Sequence, residues 1–268
     1  FDDVLPYFKK AEDQERGADD YHGAGGPLPV SNMLHADPLS GAFIKAAVES
    51  GIPDNPDFNG ATQEGAGWFQ TTTRNGRRAS TARSYLKPAK GRRNLHIETA
   101  ALAQRILFEG RRAAGVEYRQ NGALRTVRAR KEILISSGAY NSPQLLQLSG
   151  VGPGDVLQRH GIVPVLAQAQ VGANLQDHLA MSYTYQATES TLNQVLSSLW
   201  GQLRFGIQYV ATRKGPLSIS VNQCGGFVRS HDAAPQADLQ LYCNPISYTL
   251  AASKTGTQIV PDRFAGFI

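Results

Sequence analysis

Near the start of the chain, Val4, Leu5, Phe8 and Ala11 recur at close to helical spacing, so a short amphipathic helix is predicted within residues 3–15. The stretch HGAGGPLPVSN, residues 22–32, is too rich in Gly and Pro for regular structure before Val30. Pro38 suits the first turn of a helix that carries Phe43, Ile44 and Val48 to a stop at Gly51.

From Asn94 the pattern changes to short β-like runs: NLHIET, LAQRILFEG, AAGVEYRQNG and LRTVRARKEILIS, with Asn121-Gly122 as a hairpin signal between the last two. They predict a small meander. Its end, EILIS, is apolar without alternation, the pattern of a strand buried on both faces. Ser142 is placed to cap the following helix, Pro143 to occupy its first position and Gly150 to end it, which completes a strand-turn-helix unit. Beyond Gly172, MSYTYQAT alternates, a helix is expected from Leu192 to about Arg213, and DLQLYCN reads as another strand. A boundary is expected near Asp177.

A length of 268 residues with 41% hydrophobic content permits a sizeable core in one large domain or two ordinary ones. No apolar run approaches the roughly 20 residues that cross a bilayer, and Phe1 opens no signal segment. The expectation is a soluble or peripheral protein, in a bacterial cytoplasm or associated with a membrane. Without an initiator Met, and opening on FDDVLPYFKKAED, the chain reads as a piece of a longer protein. Cys224 and Cys243 have neither metal spacing nor the density of a disulfide scaffold, and six scattered histidines predict no metal site.

Charge adds one feature. The net charge of +5 is concentrated between Arg74 and Lys131, where 16 Lys or Arg face only Glu98, Glu109 and Glu117. This basic stretch is dispersed over strands and turns without interleaved aromatics, so a solvated surface is preferred to nucleic-acid recognition. A non-enzymatic module binding an anion or nucleic acid stays as the alternative. Ser149, in LSGVG, is no hydrolase nucleophile, because Gln147 stands where Gly-x-Ser-x-Gly requires glycine.

The bare turn Ser137-Gly138-Ala139 is the first candidate site. Between a buried strand and a capped helix, such a turn aims backbone N–H groups and the positive end of the helix at a ligand, or serves packing alone. The whole segment, SSGAYNSPQLLQLSGVG, resembles the second sequence signature of the glucose-methanol-choline (GMC) flavoprotein oxidoreductases. VGANLQDH, residues 171–178, is similar to another characteristic segment of that family. VLPYFKKAED, HGAGGPLPVS, STARSYL and GGFVRS have counterparts in the same order.

The resemblance implies an α/β fold with mixed α+β character: the FAD-binding layer of a two-domain GMC fold plus part of an antiparallel substrate-domain sheet. The family's N-terminal Gly-x-Gly-x-x-Gly fingerprint and its C-terminal catalytic histidine are not in this sequence, so no residue here is expected to move the alcohol proton and the chain alone is expected to be inactive. Expected domains are 1–64, a helical and loop segment; 65–177, part of the FAD layer; and 178–268, part of the substrate domain.

By the same resemblance, FAD is the cofactor, with Ala103, Ser137, Gly138, Ala139, Asn174, Asp177 and His178 expected near it. Gln223 and Tyr183 are expected on the substrate side. Family members that handle choline carry Glu where Gln223 stands, so a neutral primary alcohol is expected, oxidised to an aldehyde by hydride transfer to flavin N5. A lyase of hydroxynitrile type with idle flavin is the alternative within the fold. The electron acceptor, whether oxygen, a quinone or another carrier, is not legible.

Overall fold

The computed structural model describes residues 1–218, 220–250, 257–259 and 264–267, with backbone alone for 248–250, 257–259, 264–265 and 267. Two compact units form: residues 1–92 with 180–268, and residues 93–179. Compaction thus divides the chain at 92/93 and 179/180, and residues 65–92, grouped by sequence with the cofactor layer, fold with the first unit.

The first unit is built on a five-stranded antiparallel sheet in the order Tyr183–Gln186, Phe264–Phe267, Leu239–Asn244, Cys224–Val228, Gly65–Trp68. The alternating run after Met181 and the run DLQLYCN both supply strands, as their patterns predict. The short strand Gly65–Trp68 has no alternation to announce it; pairing with Cys224–Val228 makes it a strand. The helix Pro38–Glu49 packs on this sheet, with Ser40 and Ala47 buried. Its N-cap is Asp37, whose carboxylate accepts Leu39 N–H at 2.9 Å. Phe58, Phe69, Phe227 and Tyr242 form a chain of tilted and edge-on rings with centroids 5.2–5.8 Å apart beside it.

The first helix, Leu5–Ala11, falls within the predicted residues 3–15. Two predictions in this unit are corrected. Glu12–Gln14 pairs in parallel with Leu28–Val30, inside the stretch expected to be irregular. The helix expected from Leu192 is two helices, Leu192–Ser197 and Leu199–Thr212. Ser198 divides them: its extended backbone breaks the first, and its hydroxyl accepts Gly201 N–H at 2.9 Å to cap the second.

The second unit carries the meander, strands Ala101–Glu109, Arg112–Gln120 and Ala123–Arg128 in sequential order. Asn121 and Gly122 both have positive φ, 52° and 79°, as a two-residue turn of this hand requires. NLHIET lies outside the sheet. EILIS also differs from its expectation: no described strand pairs with it, and Leu134 is 82% exposed. A strand exists only through its ladder, and an apolar run without a neighbour has none.

The next helix begins at Gly138, so Pro143 lies inside it and Ser142 caps nothing; instead Ser142 Oγ accepts Ser137 N–H at 3.0 Å. Pro143 has no N–H to offer the carbonyl of Ala139, which therefore has no partner four residues on. The helix ends at Leu148, and Ser149 Oγ donates to Leu145 O at 2.5 Å while accepting Ile106 N–H at 2.8 Å. That buried hydroxyl ties the helix to the first meander strand, which is its structural work. No helix among the described residues is long and apolar enough to cross a membrane.

Candidate functional site

In the 93–179 unit, the turn Ser137-Gly138-Ala139 is open. All three residues are exposed, Gly138 has φ +87°, and a Cβ built there would meet nothing within 4 Å. The conformation excludes ordinary side chains at no gain in local packing, so the bare backbone faces free space. Ala103 lies on Ala101–Glu109, an edge strand of the meander, beside a register irregularity between Ala103 and Arg105. An edge strand keeps half of its backbone polar groups away from its neighbour, available to a ligand.

Asn174, Asp177 and His178 lie on an exposed loop of the same unit. Asn174 takes a left-handed conformation, φ 56°, and donates to Gln170 Oε1 at 3.3 Å. Asp177 Oδ1 accepts the backbone N–H of His178 at 2.9 Å, a local turn that leaves the imidazole outside the contact. The loop is tied to the helix Gly138–Leu148 by Gln147 Nε2, which donates to Val171 O at 3.1 Å. The bare turn and the VGANLQDH loop therefore share one helix as their support.

The other unit holds a buried polar nest around Gln223, which is fully buried. Gln223 Oε1 accepts Asp37 N–H at 3.0 Å, while its Nε2 has no hydrogen-bond partner among the described residues. Ser40 Oγ and Asn244 Oδ1, also buried, are likewise without one. Burial pushes the Asp37 carboxyl above the usual carboxylate range, against the opposing hydrogen bond from Leu39 and the influence of His35. Cys224 and Cys243 stand opposite each other on neighbouring strands, both free and buried. The hydrogen bond to Cys224, together with burial, holds the Cys243 thiol well above its ordinary range. Tyr183 is half-exposed on the sheet's outermost strand, its hydroxyl 4.0 Å from Met181 Sδ.

A second cluster escaped the sequence. His22 is buried between two carboxylates: Nδ1 lies 3.0 Å from Glu12 Oε1 and Nε2 lies 2.9 Å from Asp57 Oδ2. Burial pulls the imidazole down, and the hydrogen bonds and charges of Glu12 and Asp57 outweigh it, so His22 is held above its ordinary value. With both ring nitrogens engaged, it has no free lone pair for proton transfer; it clamps three segments together. Glu12, His22 and Asp57 form no sequence motif, and only the fold juxtaposes them. Among the described residues no three His, Cys, Asp or Glu side chains gather as a metal site.

The family model described as GMC oxidoreductase matches residues 1–180. The chain is 45% identical over 247 residues to an oxygen-dependent choline dehydrogenase of Burkholderia ambifaria, covering 91% of this chain and 44% of that protein. A counterpart of the same description in Burkholderia vietnamiensis is 44% identical with the same coverage. Among solved structures, pyridoxine 4-oxidase from Mesorbium loti matches all of this chain and 49% of its own, at 27% identity and a TM-score of 0.78. Formate oxidase superimposes over 99% of this chain with a TM-score of 0.84, at 22% identity, a likeness of fold. The chain spans about half the length of the relatives it matches.

Proposed function

We propose, from the premise that this chain belongs to the GMC oxidoreductase family, that the complete protein is an FAD-dependent oxidoreductase that converts a neutral primary alcohol to an aldehyde. The bare turn supports the cofactor assignment. Gly138 leaves open the space a Cβ would take, and the helix Gly138–Leu148 presents its N-terminal backbone N–H groups there, a setting suited to an electron-rich or anionic group. FAD, when bound, supplies acceptance of the hydride from the alcohol carbon.

In this reading Ser137, Gly138 and Ala139 border the flavin through their backbone, and Ala103 meets the adenine through the free edge of its strand. Asn174, Asp177 and His178 shape the loop beside the cofactor. None of these side chains is assigned the alcohol proton, and among the described residues the Asp177 carboxylate meets the backbone of His178, not its imidazole.

The single observation that carries the substrate class is Gln223: a neutral amide, fully buried, with both N–H donors of its Nε2 unspent among the described residues. A quaternary ammonium has no hydrogen to give and is held by carboxylates or aromatic faces; an amide N–H suits an alcohol or ether oxygen. In this reading Tyr183 belongs to the same substrate side. The 45% identity to an oxygen-dependent choline dehydrogenase favours choline as the second reading.

The test is an anaerobic absorbance titration of the complete protein with a panel of primary alcohols that includes choline. Bleaching of the oxidised flavin by neutral alcohols supports the proposal, and bleaching by choline alone transfers the assignment to the second reading. A bound flavin that no alcohol bleaches favours the lyase, and absence of flavin overturns the cofactor assignment.

A further inference from the structure

We propose that a basic pocket in the first unit binds an anion carrying more than one phosphate group. The pocket, about 840 Å³, is walled by Arg74, Arg77, Arg78, Arg83, Lys87 and Arg213, and no Asp or Glu lines it. Among the described residues, only Arg74 of this wall has an acidic partner, Asp13, at 2.6 Å. The Arg213 guanidinium lies over the Tyr209 ring, 4.9 Å from its centroid. Arg77, Arg78, Arg83 and Lys87 have no ion-pair partner among the described residues.

The basic stretch of the sequence thus separates into two kinds of charge. Within the meander, Arg105 pairs with Glu117, and Arg112 and Arg128 share Glu109, so each of those three cations has an acidic partner. The cations of the pocket are not. Like charges within a Debye length of about 8–10 Å repel one another, and a concave wall of one sign raises the local concentration of the opposite ion.

The pocket is also held in shape. Asn75 and Gly76, with φ 51° and 64°, turn the hairpin that joins Thr73–Arg74 to Arg77–Arg78. Tyr209 OH donates to Gly76 O at 2.9 Å, and a Cβ on Gly76 would fall against the carbonyl of Arg213. The hairpin is thereby fixed against the end of the helix Leu199–Thr212, and residues far apart in sequence face one space.

The chemistry of the wall selects the ligand. A guanidinium presents a planar fork that matches two oxygens of a phosphate, and a row of forks suits linked phosphates. The volume falls in the range of small-ligand sites, roughly 300–1,000 Å³. No aromatic side chain lines the pocket to stack a base, which favours a phosphate-bearing small molecule or headgroup over single-stranded nucleic acid. The site is independent of the flavin and alcohol assignments.

Calorimetric titration of the complete protein with pyrophosphate, in parallel with sulfate at matched ionic strength, tests this. Pyrophosphate should bind at least tenfold more tightly than sulfate and lose at least tenfold in affinity between about 50 and 200 mM salt. The double variant Arg77→Ser/Arg83→Ser should lose at least tenfold, and Arg105→Ser, whose charge is paired elsewhere, should change nothing. Lys87→Ser, outside the hairpin, should weaken binding by itself and so repeats the test without touching the turn. Vesicles containing cardiolipin, whose headgroup links two phosphates, compared with phosphatidylcholine separate the sources: retention on the anionic vesicles without pyrophosphate binding identifies a lipid headgroup, and the reverse identifies a soluble phosphate. Binding of pyrophosphate no tighter than sulfate with no preference for anionic vesicles, or binding unchanged in the folded variants, overturns the proposal.

Discussion

The side-chain oxygen of Gln223 accepts the backbone N–H of Asp37 at 3.0 Å, joining a sheet strand's first neighbour to the cap of a helix 186 residues earlier in the chain. The contact explains why a polar residue is tolerated at full burial, and it sets apart the two ends of the amide: Oε1 is committed to the fold, Nε2 is not. Gln223→Leu should leave the Asp37 N–H unsatisfied and cost about 1–3 kcal/mol of stability, read by denaturant unfolding. Gln223→Glu keeps an acceptor for that N–H but brings a second carboxylate towards Asp37, so the substrate preference should move towards cationic alcohols. The ratio of kcat/KM for choline to that for a neutral alcohol checks it; a ratio that does not rise removes Gln223 from the substrate side.

His22 gives a pH dependence of defined sign. Its folded value lies above the unfolded value of about 6.5, so the stabilisation is fully present below the unfolded value and is lost as pH rises through the folded one. Unfolding free energy measured from about pH 6 upwards should therefore fall more steeply in the native protein than in His22→Gln. Parallel profiles for the two proteins would mean that Glu12 and Asp57 do not hold a charged imidazole.

Ser149 is expected to matter for stability and not for chemistry. Ser149→Ala removes the acceptor of Ile106 N–H and the donor to Leu145 O, both buried, at a cost of about 1–3 kcal/mol. Thermal unfolding reads the loss, while kcat of the variant that remains folded should stay within twofold of the parent.

Gly138→Ala separates backbone strain from ligand approach. Its φ of +87° makes any side chain cost about 1–3 kcal/mol, although the methyl would strike nothing in the protein. If the flavin passes this turn, the variant should in addition release FAD, seen as a lower flavin-to-protein absorbance ratio after gel filtration. Full flavin content in the variant would place the cofactor elsewhere.

Sequence pattern was a sound guide where an element is set by its own residues. The meander, with Asn121-Gly122 at its turn, and the helix after Pro38 follow from local propensity and capping. It was less sound where a partner decides the outcome. EILIS reads as a buried strand, yet no strand among the described residues pairs with it; Gly65–Trp68 shows no strand pattern and becomes one by pairing with Cys224–Val228. Pro143 suits a helix start, but the helix begins at Gly138, where an open turn admits it.

By itself, then, the sequence determined the GMC membership and the run of short motifs that carries it, because these depend on order and identity along the chain. The tertiary structure alone decided that His22 lies between Glu12 and Asp57, that Gln223 caps its buried nest through Asp37, and that the cations of residues 74–87 meet Arg213 around one pocket. Each joins residues ten to nearly two hundred positions apart, and such distances close only when burial of the intervening apolar surface outweighs the entropy of ordering the chain between them.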